Sequence, residues 1–151
     1  MSLEDLYKEV ILDHYKSPRN KRELPGAELT CSRNNPLCGD EITIQANLEG
    51  ERVAEVAFSG QGCSISQASA SMLTEAVAGK SVEEADRLAV EFRGMMEGTQ
   101  DLDEDRAGDL VALKGVVKYP VRIKCAVLAW DVLQEALSGA GQASSGSRHS
   151  S

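Results

Sequence analysis

The sequence predicts an α+β fold, with one helix first, then strands, then further helices. Two observations carry this prediction: apolar and polar residues alternate between Ile42 and Leu48, and apolar residues recur at helical spacing in several later segments. Segregation of strands and helices along a chain is typical of the α+β class. The length of 151 residues favours one domain, and the 42% of apolar residues is enough for a hydrophobic core.

The first predicted element is a helix, with Ser2 as its N-cap and Pro18 as the residue that ends it. Its apolar stripe consists of Leu3, Leu6, Tyr7, Val10, Ile11, His14 and Tyr15. Because His14 lies on this stripe, we expect a packed, hydrogen-bonded histidine rather than a functional one.

Strands follow the first helix. Ile42 to Leu48 alternates as a half-buried strand, Gly50 turns the chain, and Val53 to Phe58 returns as the second arm of a hairpin. The stretch AELTCSRN, residues 27–34, can add a short third strand before the loop that contains Cys38.

Helices dominate the second half of the chain. The stretch after GQGC is predicted to be a helix with a capping box of Ser64 and Gln67. A second capping box, Ser81 and Glu84, starts the next helix. The stripe of that helix is typical of core packing and consists of Val82, Ala85, Leu88, Ala89, Phe92, Met95 and Met96.

The C-terminal part contains a short helical piece at Leu110 to Leu113 and a long helix from Pro120 to Gly139. The apolar stripe of the long helix is Val121, Cys125, Leu128, Ala129, Val132, Leu133, Ala136 and Leu137. We therefore expect one folded domain over residues 1–139 and a disordered polar tail over residues 140–151.

The charge of the chain limits its partners. A net charge of −8 and a pI of about 4.8 argue against nucleic acid or an anionic membrane as the main partner. The acidic stretch EGTQDLDEDRAGD, residues 97–109, is expected to be an exposed loop or insertion. Because the chain has no apolar run of membrane-spanning length and no signal-peptide pattern, the expected location is the cytoplasm.

Three of the four cysteines lie at the ends of predicted elements: one in a loop before a strand, one where a strand passes into a helix and one near a helix start. Cys38 is in the loop NPLCGD, Cys63 precedes a helix, and Cys125 is near the start of the last helix beside Lys124. A helix N-terminus and a neighbouring lysine both favour thiolate, and all three cysteines can converge at one end of a small sheet. Cys31 is expected to be a packed or half-exposed thiol rather than a ligand.

Asp40 is the predicted fourth member of this set, because Gly39 lets the loop bend so that Cys38 and Asp40 face one ion. Three thiolates and a carboxylate suit zinc, and the same thiolates suit an iron–sulfur cluster. The residues alone leave a second interpretation open, in which the cysteines are unrelated and Cys125 is a core residue.

Four motifs in order resemble a known family: LYKEVILDHYKSPRN, NPLCGD, GQGCSISQASASMLTE and KYPVRIKCAVLAW. Together they are similar to SufU-type members of the IscU/NifU N-terminal iron–sulfur cluster assembly family. The resemblance covers nearly the whole chain except the tail. It implies an IscU/SufE-like fold, a three-stranded antiparallel sheet with helices packed on it.

The resemblance also implies a function. Cys38, Cys63 and Cys125 match the cysteine ligands of the family, and Asp40 matches its aspartate. The implied site holds zinc or an assembling iron–sulfur cluster. The implied partners are a SufS-like pyridoxal-phosphate cysteine desulfurase, which donates persulfide sulfur, and downstream cluster-assembly or carrier proteins.

Three departures from IscU-type members point to the SufU branch. Lys124 stands where those members have a histidine, and residues 118–122 replace their L-P-P-V-K segment. The acidic stretch at residues 97–109 lies where SufU-type members carry an insertion. The SufU branch resembles a zinc-bound sulfur-transfer protein at least as much as a cluster scaffold.

Three functional hypotheses follow. In the first, a zinc-dependent sulfurtransferase accepts sulfur at Cys38, with Cys125 as the rival acceptor because Lys124 can guide sulfur to it. In the second, the same residues form a true scaffold that builds and transfers a 2Fe–2S or 4Fe–4S cluster. In the third, the zinc is purely structural, which the dispersed positions of the ligands disfavour.

Overall fold

The computed structural model describes residues 3–35 and 39–144. Its helices and strands follow in the order α1 (Leu3–Lys16), β1 (Leu29–Asn35), β2 (Asp40–Glu49), β3 (Arg52–Gln61), α2 (Ser64–Val77), α3 (Val82–Glu97) and α4 (Glu104–Ala107). A 3-10 helix (Gly108–Val116) and the long helix α5 (Pro120–Ser144) complete the chain.

The three strands form one antiparallel sheet in the order β1-β2-β3. Residues along β2 alternate between buried and more exposed, because successive side chains of a strand point to opposite faces. The buried face carries Asp40, Ile42, Ile44 and Ala46, and the helices pack against it. Asp40 therefore belongs to the same row as the apolar residues of the core.

Helices α2 and α5 lie at the centre of the helical layer. Ser69 on α2 donates a hydrogen bond to the carbonyl of Ala126 on α5, with an Oγ–O distance of 2.6 Å. Trp130 on α5 is fully buried and stacks on Phe92 of α3, with ring centroids 5.1 Å apart. These contacts fix the position of α5, and so of Cys125, relative to the start of α2.

The predicted α+β fold, its three-stranded antiparallel sheet and the packed helices are confirmed. Helix α3 begins with the predicted capping box, since Ser81 accepts from the backbone N–H of Glu84 and the side chain of Glu84 bonds back. Within the described part of the chain, no helix has the length and apolar character that a membrane span needs. The predicted cap Ser2 lies outside the described residues.

The other predicted capping box is wrong. Helix α2 has Cys63 as its N-cap, without a side-chain hydrogen bond, so Ser64 is already inside the helix. The side chain of Gln67 is buried, and neither of its polar atoms has a hydrogen-bond partner within the described residues. The pattern S-x-x-Q failed here because the neighbouring strand supplies an acceptor for the helix start.

Two further expectations need correction near the ends of α5. The helix continues through Gly139 to Ser144, because a glycine ends a helix only when the chain leaves it in a left-handed conformation. The division into a domain up to residue 139 and a tail remains a prediction, and residues 145–151 lie outside the described ranges. Val121, predicted to lie on the buried stripe, is 62% exposed because it occupies the first turn, ahead of the packed part.

The acidic stretch is only in part the exposed loop that we predicted. It includes α4, and its Ala107 is buried. Asp109 at its end reaches back to α1, where its carboxylate lies 2.8 Å from Nε2 of His14. The short helical piece after it is confirmed, as the 3-10 helix.

Candidate metal centre

The first component of the site is Asp40, at the start of β2. Its pairing partner on β1 is Asn35, so residues 36–39 form the connection between the two strands. Gly39 has a φ of +72°, a left-handed conformation that glycine adopts readily, and its N–H donates to the carbonyl of Asn35. The bend predicted at Gly39 is therefore present, and it brings the fully buried Asp40 onto the core face of the sheet.

Cys63 lies where β3 passes into α2. The backbone N–H of Cys63 donates to Oδ1 of Asp40 at 2.8 Å, which satisfies one of the unpaired donors at the helix start. The thiol of Cys63 lies 4.0 Å from Oδ2 of the same carboxylate. Asp40 therefore holds the helix start with one oxygen and directs the other at the thiol.

Gly62 makes this close approach feasible. A Cβ atom at residue 62 would lie 2.3 Å from Oδ1 of Asp40 and 2.6 Å from Oγ of Ser66. Both distances are shorter than normal contacts of a Cβ atom, so a side chain at this position would displace Asp40 and Ser66. The glycine of the GQGC motif is thus required by the contact between strand β2 and the start of α2.

Cys125 comes from α5 and is fully buried. Its thiol donates a long hydrogen bond of 3.8 Å to the carbonyl of Val121, one turn earlier in the helix. Ligand atoms of Asp40, Cys63 and Cys125 all lie within 4.8 Å of one another. The structure therefore brings together three of the four predicted ligand residues, from β2, α2 and α5; Cys38 lies outside the described residues.

The sequence analysis missed a cation at this site. Arg122 interacts electrostatically with Cys63 and by hydrogen bonding with Cys125, and these contacts raise the pKa of its guanidinium above the usual value. The expectation that Lys124 favours thiolate at Cys125 remains a prediction; its side chain is exposed, as is that of Arg122. Residues three apart on a helix share a face, whereas adjacent residues do not, so Arg122 could have been found from its spacing to Cys125.

The fourth cysteine, Cys31, lies on β1 and is half-buried. Burial and a hydrogen bond to Glu135 raise the pKa of its thiol to about 11. A thiol with this pKa is almost entirely protonated at neutral pH and is a poor metal ligand. The expectation of a packed or half-exposed thiol at Cys31 is confirmed.

His14 is fully buried in a second cluster, away from the cysteines. Its Nδ1 is 2.8 Å from Oγ of Ser71, and its Nε2 is 2.8 Å from Asp109 and 3.9 Å from Glu75. Oγ of Ser71 also accepts from the backbone N–H of Arg19. The predicted packed, hydrogen-bonded histidine is confirmed, and it joins α1, α2 and the 3-10 helix.

The family model described as the NifU-like N-terminal domain matches residues 6–140. The chain belongs to this family. The resemblance inferred from the four motifs is thereby confirmed, and the matched residues include all four predicted ligand positions.

Relatives within the NifU-like family include the zinc-dependent sulfurtransferase SufU of Bacillus subtilis. It is 46% identical over 137 residues, which cover 91% of this chain and 92% of the relative. The iron–sulfur cluster assembly scaffold protein IscU of Streptococcus pyogenes is 43% identical, covering 93% of this chain and 88% of the relative.

Among solved structures, a SufU protein from Fervidobacterium islandicum has the same fold as this NifU-like chain. The TM-score is 0.82 at 33% sequence identity, and the match covers 90% of this chain and 99% of that one.

Proposed function

We propose that this protein acts in iron–sulfur cluster assembly, where it accepts persulfide sulfur from a SufS-like pyridoxal-phosphate cysteine desulfurase and passes it to downstream assembly or carrier proteins. The observation that carries this proposal is the convergence of Asp40, Cys63 and Cys125, whose ligand atoms lie within 4.8 Å of one another. Relatives named SufU and IscU add support from the comparisons.

The donor set fits zinc. Ligand distances of about 2.3 Å to sulfur and about 2.0 Å to oxygen in a tetrahedron separate the two donors by roughly 3.5 Å. Oδ2 of Asp40 and the thiol of Cys63 are 4.0 Å apart, so a small movement brings them to that distance. Zinc bound here would stabilise the thiolate forms of its cysteine ligands at neutral pH.

We assign the fourth ligand position to Cys38. Two peptide units separate it from Asp40, so the chain holds the two Cα atoms within about 7.6 Å of each other. The proposed metal ligands are thus Cys38, Asp40, Cys63 and Cys125. Unlike close pairs of cysteines in a structural zinc site, these four residues are dispersed in the sequence, which disfavours a purely structural role.

Cys38 is the proposed sulfur acceptor. Its thiolate attacks the outer sulfur of the donor persulfide, a new S–S bond forms on Cys38, and the S–S bond of the donor breaks. The donor cysteine leaves as a thiolate, so no external oxidant or reductant is needed. Cys63 caps helix α2 and Cys125 lies within helix α5, so both are held by regular structure. We prefer Cys38 because the loop predicted for it from the sequence moves more easily than a helix.

A second candidate function is that of a cluster scaffold, since several relatives carry that description. In that case Cys38, Cys63 and Cys125 bind a 2Fe–2S or 4Fe–4S cluster as cargo. Metal content and colour of the purified protein separate the two candidates. Zinc without visible absorbance supports sulfur transfer, and a brown, oxygen-sensitive protein supports the scaffold.

We further propose that the protein acts in the cytoplasm. Its chemistry depends on reduced thiols, which are maintained in that compartment, whereas oxidising compartments favour disulfides. The half-exposed Cys63 beside the buried Cys125 would be vulnerable to such oxidation.

The test is a set of serine substitutions scored for zinc content and for sulfide production by the desulfurase. Cys38→Ser, Cys63→Ser and Cys125→Ser should each abolish stimulation of the desulfurase. Cys31→Ser is the matched control and should remain near wild type. Full stimulation with Cys38→Ser or Cys63→Ser, or loss of stimulation with Cys31→Ser, would overturn the assignment of these cysteines.

A further inference from the structure

A groove of about 430 Å³ lies between α1, the start of α2 and the 3-10 helix. Its walls are mainly apolar and include Tyr7, Ile11, Leu12, Ile65, Val116 and Tyr119. This volume is within the range of about 300–1,000 Å³ that is usual for binding sites. The groove is therefore large enough to receive several side chains of another molecule.

Parts of the wall are unusually exposed for apolar residues. Leu12 is 45% exposed and Tyr119 is 53% exposed. Exposed apolar surface that is contiguous, rather than scattered, commonly marks an interaction site.

The groove shares residues with the surroundings of the metal centre. Ser64 and Ile65, which line it, directly follow Cys63 in the chain. Arg122, which also lines it, interacts with both Cys63 and Cys125. A segment bound in the groove would therefore lie immediately beside the cysteine ligands.

The charges of the groove are opposite in sign to that of the whole chain. Among the described residues that line it, the charged side chains are Lys8 and Arg122, both cations. The chain as a whole carries a net charge of −8. Apolar walls with a cation on α1 and another on α5 are complementary to an apolar segment that carries carboxylates.

We propose that this groove binds an apolar segment bearing acidic residues, contributed by the protein that donates sulfur to the metal centre. The inference rests on the proposed function and names the surface by which the donor is held. A segment bound in the groove would hold the donor persulfide next to Cys63 and Cys125. The segment itself would not contact the acidic surface outside the groove. Overall attraction to a basic partner and this local contact of opposite sign can operate together.

The test uses the cysteine desulfurase of the same organism as the binding probe. Leu12→Glu introduces a carboxylate into the groove, and Lys8→Glu reverses one of its cations. Each should raise the dissociation constant by about tenfold, because Leu12→Glu places a charge in an apolar contact and Lys8→Glu replaces attraction to the acidic segment by repulsion. Both residues are exposed, so zinc content and melting temperature should stay at wild-type values.

Val90→Glu is the matched control, because Val90 lies on α3 outside the groove and is 51% exposed. It adds the same charge, so general electrostatics would give it the same effect as Leu12→Glu. We expect the dissociation constant of this control to be unchanged or lower. Wild-type affinity in Leu12→Glu and Lys8→Glu, or an equal loss in Val90→Glu, would overturn the groove proposal.

A photoreactive residue in place of Leu12 identifies the occupant. Cross-linking to an apolar peptide of the desulfurase that contains Asp or Glu is the expected result. Cross-linking to a second copy of this chain, or to a basic peptide, would overturn the proposal while leaving the sulfur-transfer function standing. Failure of the wild-type protein to bind the desulfurase at all would overturn both.

Discussion

Asp40 shows how one residue can serve both fold and site. It is fully buried, yet Oδ1 accepts from the backbone of Cys63 and Oδ2 faces the thiol of the same residue. A buried carboxylate is costly unless it is hydrogen-bonded or paired. The start of α2 supplies the hydrogen bond, and the proposed metal would supply the charge.

Replacing Asp40 with alanine should alter the lability of zinc rather than abolish its binding, because three thiolates and a water still complete four positions. The variant should release zinc to a chromophoric chelator at a changed rate and should be impaired in sulfur transfer. Elemental analysis together with the release rate measures this. Complete loss of zinc, or a rate of zinc release equal to that of wild type, would contradict the hypothesis that Asp40 is a replaceable ligand.

Asp40→Asn is the control for the structural role of this residue. Its amide oxygen can still accept from the N–H of Cys63, whereas alanine leaves that donor unsatisfied. We expect asparagine to be the more stable variant, by about 1–3 kcal/mol, in urea unfolding of the metal-free proteins. Equal stability of the two variants would show that the hydrogen bond contributes nothing.

At the scale of elements, the starts of α2 and α3 are built differently. The start of α3 is closed by a local capping box of Ser81 and Glu84. The start of α2 is closed from a distance, by the carboxylate of Asp40 on β2, with Gly62 leaving the space for it. Only the first arrangement is visible from neighbouring residues in the sequence.

This difference predicts the effects of two serine-to-alanine substitutions. Ser81→Ala should lower the free energy of unfolding by about 1 kcal/mol, the usual cost of losing an N-cap. Ser64→Ala is the control, because Ser64 does not cap α2. It should change the free energy of unfolding by less than about 0.5 kcal/mol. Urea unfolding of zinc-loaded protein measures both, and a larger loss for Ser64→Ala would reverse the assignment of the caps.

At the scale of the molecule, the proposed ligands join the start of β2, the start of α2 and the start of α5. Binding a metal at such a junction adds its binding free energy to folding. The fold also has a substantial core of its own, centred on Phe58, Phe92 and Trp130. We therefore expect a metal-free protein that remains folded and is less stable.

Removal of zinc by a chelator should lower the melting temperature, by about 2–4 °C for each kcal/mol of stabilisation lost. Thermal unfolding followed by circular dichroism, before and after verified metal removal, measures the change. Re-addition of zinc is the control and should restore the original transition. An unchanged melting curve in verified metal-free protein would count against a four-ligand site.

The net charge of −8 also predicts that binding to the desulfurase depends on salt. Attraction to a basic face of the desulfurase should weaken with salt, because the screening length falls from about 10 Å at 0.1 M to about 3 Å at 1 M. The concentration of this protein that half-stimulates the desulfurase should therefore rise with ionic strength. An apparent affinity that is independent of salt would show that electrostatic attraction does not contribute to binding of the desulfurase.

The sequence by itself determined the elements of the fold and most of the proposed ligand set. Alternation in β2 and helical stripes in α3 and α5 follow from the period of each backbone, so they can be read residue by residue. The motif containing Cys38 and Asp40 pointed to the strand connection, and the glycines around Cys63 marked the passage into α2. These signals lie in residues that are neighbours in the sequence, so the sequence alone contains them.

Only the tertiary structure decided which groups meet across elements. It showed that Asp40 caps α2 from strand β2, that Arg122 interacts with the cysteines, and that Asp109 bonds to His14. Each contact joins residues whose separation is set by the packing of sheet and helices. Periodicity assigns a residue to a face of its own element, but the packing of the whole core decides what that face meets.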